Sequence, residues 1–156
     1  MIVSNASPSI VLLKINKLSI LKELFGKIIV PEAVYKEITT KEPDKQIFDE
    51  KGWIQTRKVT NIEMTTLLEK LVDRGEAEAI VLAKELKATL LIDDAKARKY
   101  AKFLNIELIG TLGLLKIAKK NRSVQSVRKI IEKMLAEGYH IEDRLVTKLL
   151  KDVGES

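Results

Sequence analysis

The chain has 156 residues, 46% of them hydrophobic and 32% charged, with a net charge of +6. That length suits one domain, and the balance is that of a globular protein, with no need of a disulfide, metal or cofactor to explain folding. Cysteine is absent and His140 is the single histidine, which excludes disulfides, thiolate zinc sites, histidine-based triads and multi-histidine metal sites within the chain.

In chain order, Ile2-Val3-Ser4 predicts a short apolar strand, and Pro8 opens a helix to about Ile15. Leu18, Leu21, Leu24 and Phe25 recur at helical spacing, and Gly26 stops that helix. Ile28-Ile29-Val30 is a buried strand. Pro31 starts a helix with Val34 and Ile38 on its apolar face, ending near Thr39-Thr40 before a charged loop over Lys41 to Lys45. Trp53 to Thr56 reads as an edge strand. Asn61 caps a helix whose inner face is Met64, Leu67, Leu68 and Leu71. Gly75 breaks this pattern, and Glu76 to Leu86 resumes it. Thr89 to Ile92 is apolar enough for a strand covered on both faces. After Asp93-Asp94 come a helix to Leu104, a strand over Ile106 to Ile109, and a helix from Thr111 to Lys119. Two last helices span about Val124 to Ala136 and Ile141 to Leu150.

Strands alternating with helices predict an α/β fold with a central parallel sheet. Without repeats or a flexible linker, residues 1–156 read as a single domain, with 1–122 as the core and helices of 123–156 packed on it. The amino-terminal residues lack the basic start and apolar run of a signal peptide, and no apolar stretch approaches the ~20 residues that span a bilayer. The expected setting is cytoplasmic, away from membranes. The positive charge favours an anionic partner such as nucleic acid, and a lysine-rich surface equally serves solubility.

Ligands of open α/β sheets bind beyond the carboxyl ends of the strands, where strand order reverses. The first strand end offers Ser4, Asn5 and Ser7, and the fourth offers Asp93 and Asp94; Glu37, Glu76 and Glu78 sit on helices that could face the same crevice. Glu76 and Glu78 in a first helical turn have a simpler role in answering the helix dipole, and one of Asp93 and Asp94 has another as a helix cap. Carboxylates crowded together repel unless a cation neutralises them, and a set free of His and Cys suits a hard ion such as Mg²⁺ or Mn²⁺. Such an ion stabilises charge on a phosphodiester under attack.

Five segments together resemble the PIN domain family, over nearly the whole chain. They are Ile2 to Pro8, Val30 to Glu37, Gly75 to Ile80, Leu91 to Arg98, and Gly110 to Gly113. The resemblance implies a PIN-like three-layer fold and an endoribonuclease dependent on Mg²⁺ or Mn²⁺. It extends to a branch rich in toxins of toxin–antitoxin pairs, which implies RNA as substrate, a small antitoxin protein as partner, and a homodimer. It casts Glu37, Glu78, Asp93 and Asp94 as catalytic and metal-holding acids, with Ser7 and Glu76 in support. Asn5 stands where the family has an aspartate. Its neutral carbonyl oxygen can coordinate a cation but adds no charge, so the chain is either a nuclease working with the remaining acids or a non-catalytic module that binds RNA or protein. A cation-dependent hydrolase of small phosphate esters is a third reading. Lys96 and Arg98 on the helix after Asp94, and Lys116 further on, are the expected phosphate contacts; a solvated helix face explains them as well. Arg98 could also pair with Asp94, four residues earlier. The scattered aromatics, 4% of residues, offer no stacking platform.

Overall fold

The computed structural model describes residues 1–40 and 43–156. Its centre is a five-stranded sheet of β1 (Ile2–Ser4), β2 (Ile28–Pro31), β3 (Ile54–Arg57), β4 (Thr89–Leu91) and β5 (Leu108–Ile109), in the order β3-β2-β1-β4-β5. Every pairing is parallel. The inner strands β1, β2 and β4 are aliphatic and almost wholly buried, as helices on the faces of a parallel sheet require. The edge strand β3 is half exposed and more polar.

Ten helices are described: α1 (Ala6–Lys14), α2 (Ser19–Phe25), α3 (Glu32–Ile38), α4 (Asp44–Asp49), α5 (Ile62–Leu68), α6 (Arg74–Leu86), α7 (Ala95–Phe103), α8 (Thr111–Lys120), α9 (Val127–Ala136) and α10 (Asp143–Asp152). None is long and apolar enough to cross a membrane. The deepest is α6, where Ala77 and Ala79 to Ala83 are 1% exposed or less. Small residues let its backbone approach the sheet, while Ile80 and Leu82 fill the space between. The same hydrophobic core includes Ile130, Met134 and Leu149 of the last two helices.

Several expectations need correction. Pro8 is not the first residue of α1, which starts two residues earlier; the N–H groups of a first turn have no helical acceptor, so proline costs nothing there. Gly75 lies inside α6 rather than before it. The charged loop expected over Lys41 to Lys45 falls partly outside the described residues, and from Asp44 the chain is already helical, anchored by buried Phe48. In α5 the inner stripe is Met64, Thr65 and Leu68, one to four residues apart, which turns Leu67 outward to 64% exposure.

The carboxyl-terminal residues tie α9 down. The Glu155 carboxylate accepts hydrogen bonds from the N–H groups of Val127 (2.7 Å) and Arg128 (3.1 Å) and from the Ser126 hydroxyl (3.1 Å), and Lys119 lies 3.3 Å away. Burial pushes its pKa up, but these donors prevail and hold it at about 2. A carboxyl lowered from its usual 4.5 stabilises the fold above that pH, and the contribution is lost as pH falls toward 2. Glu155→Gln should therefore cost about 1–2 kcal/mol in urea unfolding at neutral pH and progressively less in acid. Equal stabilities at neutral pH would show that this link contributes nothing.

Candidate functional site

Parallel strands end on one edge, so helices that follow them begin there, and crossover helices that lead back to a strand begin there too. The N-termini of α1, α3, α6, α7 and α8 consequently gather at the carboxyl edge of the sheet. Strand order reverses between β1 and β4. There Asn5 donates its N–H to the Leu91 carbonyl (2.9 Å), and Asp93 and Asp94 follow after Ile92.

Four carboxylates interact at this edge. Asp73 caps α6: its Oδ1 accepts from the Glu76 N–H (2.8 Å), and the Glu76 carboxylate accepts from the Asp73 N–H (3.2 Å) in return. Glu37 extends from α3 over Gly75, so closely that a Cβ on Gly75 would lie 2.1 Å from its Oε1. Only glycine admits that approach. Asp94 caps α7, its Oδ2 accepting from the Ala97 N–H at 2.9 Å. Burial and then the Asp73 charge push the Glu37 carboxyl up. Burial drives Glu76 up to about 7, with the charges of Asp73 and Asp94 adding to it against the Asp73 N–H bond.

Among the described residues none of these four acids forms an ion pair. Two nearby arginines are engaged elsewhere. Arg74 turns to Glu78 (3.1 Å) and Glu69 (3.6 Å), and Arg98 donates to the Ile92 carbonyl (2.8 Å) rather than pairing with Asp94. Surplus negative charge on oxygen donors fits a hard divalent cation. The fit is chemical: among the described residues no three acidic or histidine side chains already form a group able to hold a metal ion. Closing on a cation therefore requires side-chain movement.

Glu78 is placed differently from its expected role. It is 6% exposed, and both oxygens are taken, Oε1 by the Ala33 N–H (3.0 Å) and Oε2 by Arg74 (3.1 Å). It joins the start of α3 to α6, one turn beyond the first turn where it was expected. With Glu37 it lines a 410 Å³ groove that also carries Lys36, Lys58 and Arg74.

Asp93, expected to be a metal ligand, is likewise committed to the protein. Its Oδ1 accepts from the Thr111 N–H (2.7 Å), at the start of α8. Its Oδ2 accepts from the Thr111 hydroxyl (2.5 Å) and from the Tyr139 hydroxyl. Burial and the Asp93 charge push the Tyr139 hydroxyl well up, which keeps it a donor. Gly110 lets the carboxylate in, since a Cβ there would come within 3.0 Å of Oδ1. Both aspartates thus have capping tasks, one each for α7 and α8.

Asn5 is 5% exposed and stands at the N-cap of α1, yet its amide makes no capping bond. That leaves its side-chain oxygen uncommitted to the helix. Ser7 is exposed on the same helix, beside a small cavity edged by Ile10, Lys14 and Tyr139. Lys96 is exposed on α7, while Lys116 reaches Asp152 of α10 at 3.4 Å. Sequence reasoning passed over Asp73, although Asp-x-x-Glu before an apolar run is a capping signature. Nothing in the local sequence points to Tyr139.

An α/β fold with a five-stranded parallel sheet in the order 3-2-1-4-5, flanked by helices and acidic at its carboxyl edge, has the plan of PIN domains. The model of a PIN domain family, DUF3368, matches residues 1–155, and the chain belongs to that family. No curated protein matches the chain.

Proposed function

We propose that the chain is a divalent-metal-dependent endoribonuclease of PIN type, acting in the manner of the toxins its sequence resembles. The observation that carries this reading is the set of Glu37, Asp73, Glu76 and Asp94, mutually repelling and, among the described residues, without an ion-pair partner at the strand-order reversal of the sheet. Family membership supports it, since the resemblance implies such an activity. Mg²⁺ or Mn²⁺ would supply Lewis acidity toward a phosphodiester. Glu37, Glu76 and Asp94 would hold the ion, and the Asn5 amide oxygen would add a neutral donor. Asp73 would position Glu76 through the capping pair. Glu78 and Asp93 would keep α3, α6 and α8 in place around the site. Since Glu76 has a pKa near 7, occupation by a cation would displace a proton from it at neutral pH.

Cleavage of a mixed-sequence single-stranded RNA with Mn²⁺ tests the proposal. Glu76→Gln and Asp94→Asn should each lower the rate at least tenfold, and Asn5→Asp should raise it by restoring an ionic ligand. Equal rates in all four proteins would remove the site. A second reading, a module that binds RNA without cutting it, draws on the neutral Asn5 and on the absence of a pre-assembled ligand group among the described residues. It expects salt-sensitive RNA binding and no cleavage with either metal.

A further inference from the structure

Helix α7 carries Lys96, Arg98, Lys99 and Lys102 and no acidic residue. Phe103 ends it at 73% exposure, the highest of any large apolar side chain among the described residues. Phe103, Lys99 and Lys102 share an open groove of 630 Å³ with Asp93, Ala95 and Arg98. Lys99 and Lys102 are exposed and, among the described residues, form no ion pair. Nine helical residues place Phe103 roughly 13 Å along the axis from Asp94. An exposed aromatic face flanked by exposed cations is a surface for a polymer that alternates flat bases with anionic phosphates.

We propose that this groove binds single-stranded RNA, with Phe103 stacking on a base and Lys99 and Lys102 holding the adjoining phosphates. The choice of polymer rests on the ribonuclease reading. Base–aromatic stacking tolerates any sequence, and the lysines offset the repulsion a phosphate chain meets near the acidic edge. A second copy of the chain is a poorer occupant, because a two-fold contact through α7 would set Lys99 and Lys102 against their own equivalents.

The test is fluorescence anisotropy with a labelled 12-nucleotide single-stranded RNA of mixed sequence, in EDTA so that binding is read without cleavage. Phe103→Ala should raise Kd about fivefold or more, Phe103→Trp should bind like the natural chain, and Phe103→Leu, apolar but unable to stack, should resemble the alanine variant. Lys99→Gln with Lys102→Gln should flatten the dependence of log K on log salt by about 0.7 per lysine. An unchanged Kd in the Phe103 variants, or an unchanged slope in the lysine variant, overturns the proposal. So does a dimer in sedimentation that Phe103→Ala dissociates, which would give this face to a second copy. Phe103-dependent binding without Mn²⁺-dependent cleavage would support the groove while defeating the nuclease reading, so the two can fail separately.

Discussion

Without divalent metal, Glu76→Gln should melt higher than the natural chain at pH 8, and Mn²⁺ should raise the melting temperature of the natural chain far more than that of the variant. Glu76 titrates at about 7 in the folded protein, above its usual 4.5. The folded state therefore binds more protons than the unfolded chain between those values, and stability falls as pH rises through that window. Glu37, raised by burial and by Asp73, acts in the same sense. Glu155 acts in the opposite sense below pH 4.5. Together they put the stability maximum of the metal-free protein near pH 5. Because water screens the half-buried Glu76, the gain from Glu76→Gln at pH 8 is on the order of 1 kcal/mol, or about 2–4 °C. Mn²⁺ at a hundred times its Kd would add about 2.7 kcal/mol to the natural chain. Differential scanning calorimetry at pH 5 and pH 8, with and without Mn²⁺, measures all four terms. A natural chain that is equally stable at both pH values and indifferent to Mn²⁺ would end the case for an uncompensated acidic site.

For Asp93 the expected sign is reversed. If Asp93 were one more repelling carboxylate, removing it would stabilise the metal-free protein, as removing the Glu76 charge does. Its three donors predict the contrary. Asp93→Ala leaves the Thr111 N–H, the Thr111 hydroxyl and the Tyr139 hydroxyl without their acceptor in a half-buried place, and also uncaps α8. The cost should be about 3–5 kcal/mol, a large share of the stability of a domain this size. Asp93→Asn, which keeps one acceptor oxygen, should lose less. Tyr139→Phe should cost about 1 kcal/mol, and the double variant Asp93→Ala/Tyr139→Phe should fall short of the sum by 0.5 kcal/mol or more, since the two share a bond. Urea unfolding in EDTA reads these differences directly. Asp93→Ala at or above the stability of the natural chain would return Asp93 to the list of metal ligands.

The contrast between Glu76 and Asp93 also marks how far the site can be read from the chain alone. Glu37, Glu76 and Asp94 are all visible as acids near strand ends or on neighbouring helices, and all three prove electrostatically strained or partly uncommitted. Glu78 and Asp93 have the same appearance in the sequence and opposite circumstances in the fold. Asp73 escaped notice because its capping role, a local one, hides the charge it adds to the site. Phe103 escaped notice for a related reason. A phenylalanine in a helix is ordinarily assigned to the core, and only its position at the outer end of α7 makes it a surface.

Composition and the order of apolar runs are enough for the parallel α/β sheet, because burial of aliphatic strands between amphipathic helices is a property each segment carries in its own residues. They also bring the acids to one edge, since every strand of a parallel sheet ends on the same side. Which acids stay available there is decided only by the tertiary structure. Glu78 accepts a hydrogen bond from an N–H 45 residues away, and Asp93 from a hydroxyl 46 residues away. A hydrogen bond depends on a donor arriving within about 3 Å in the right direction, and for partners so distant along the chain that is settled by packing.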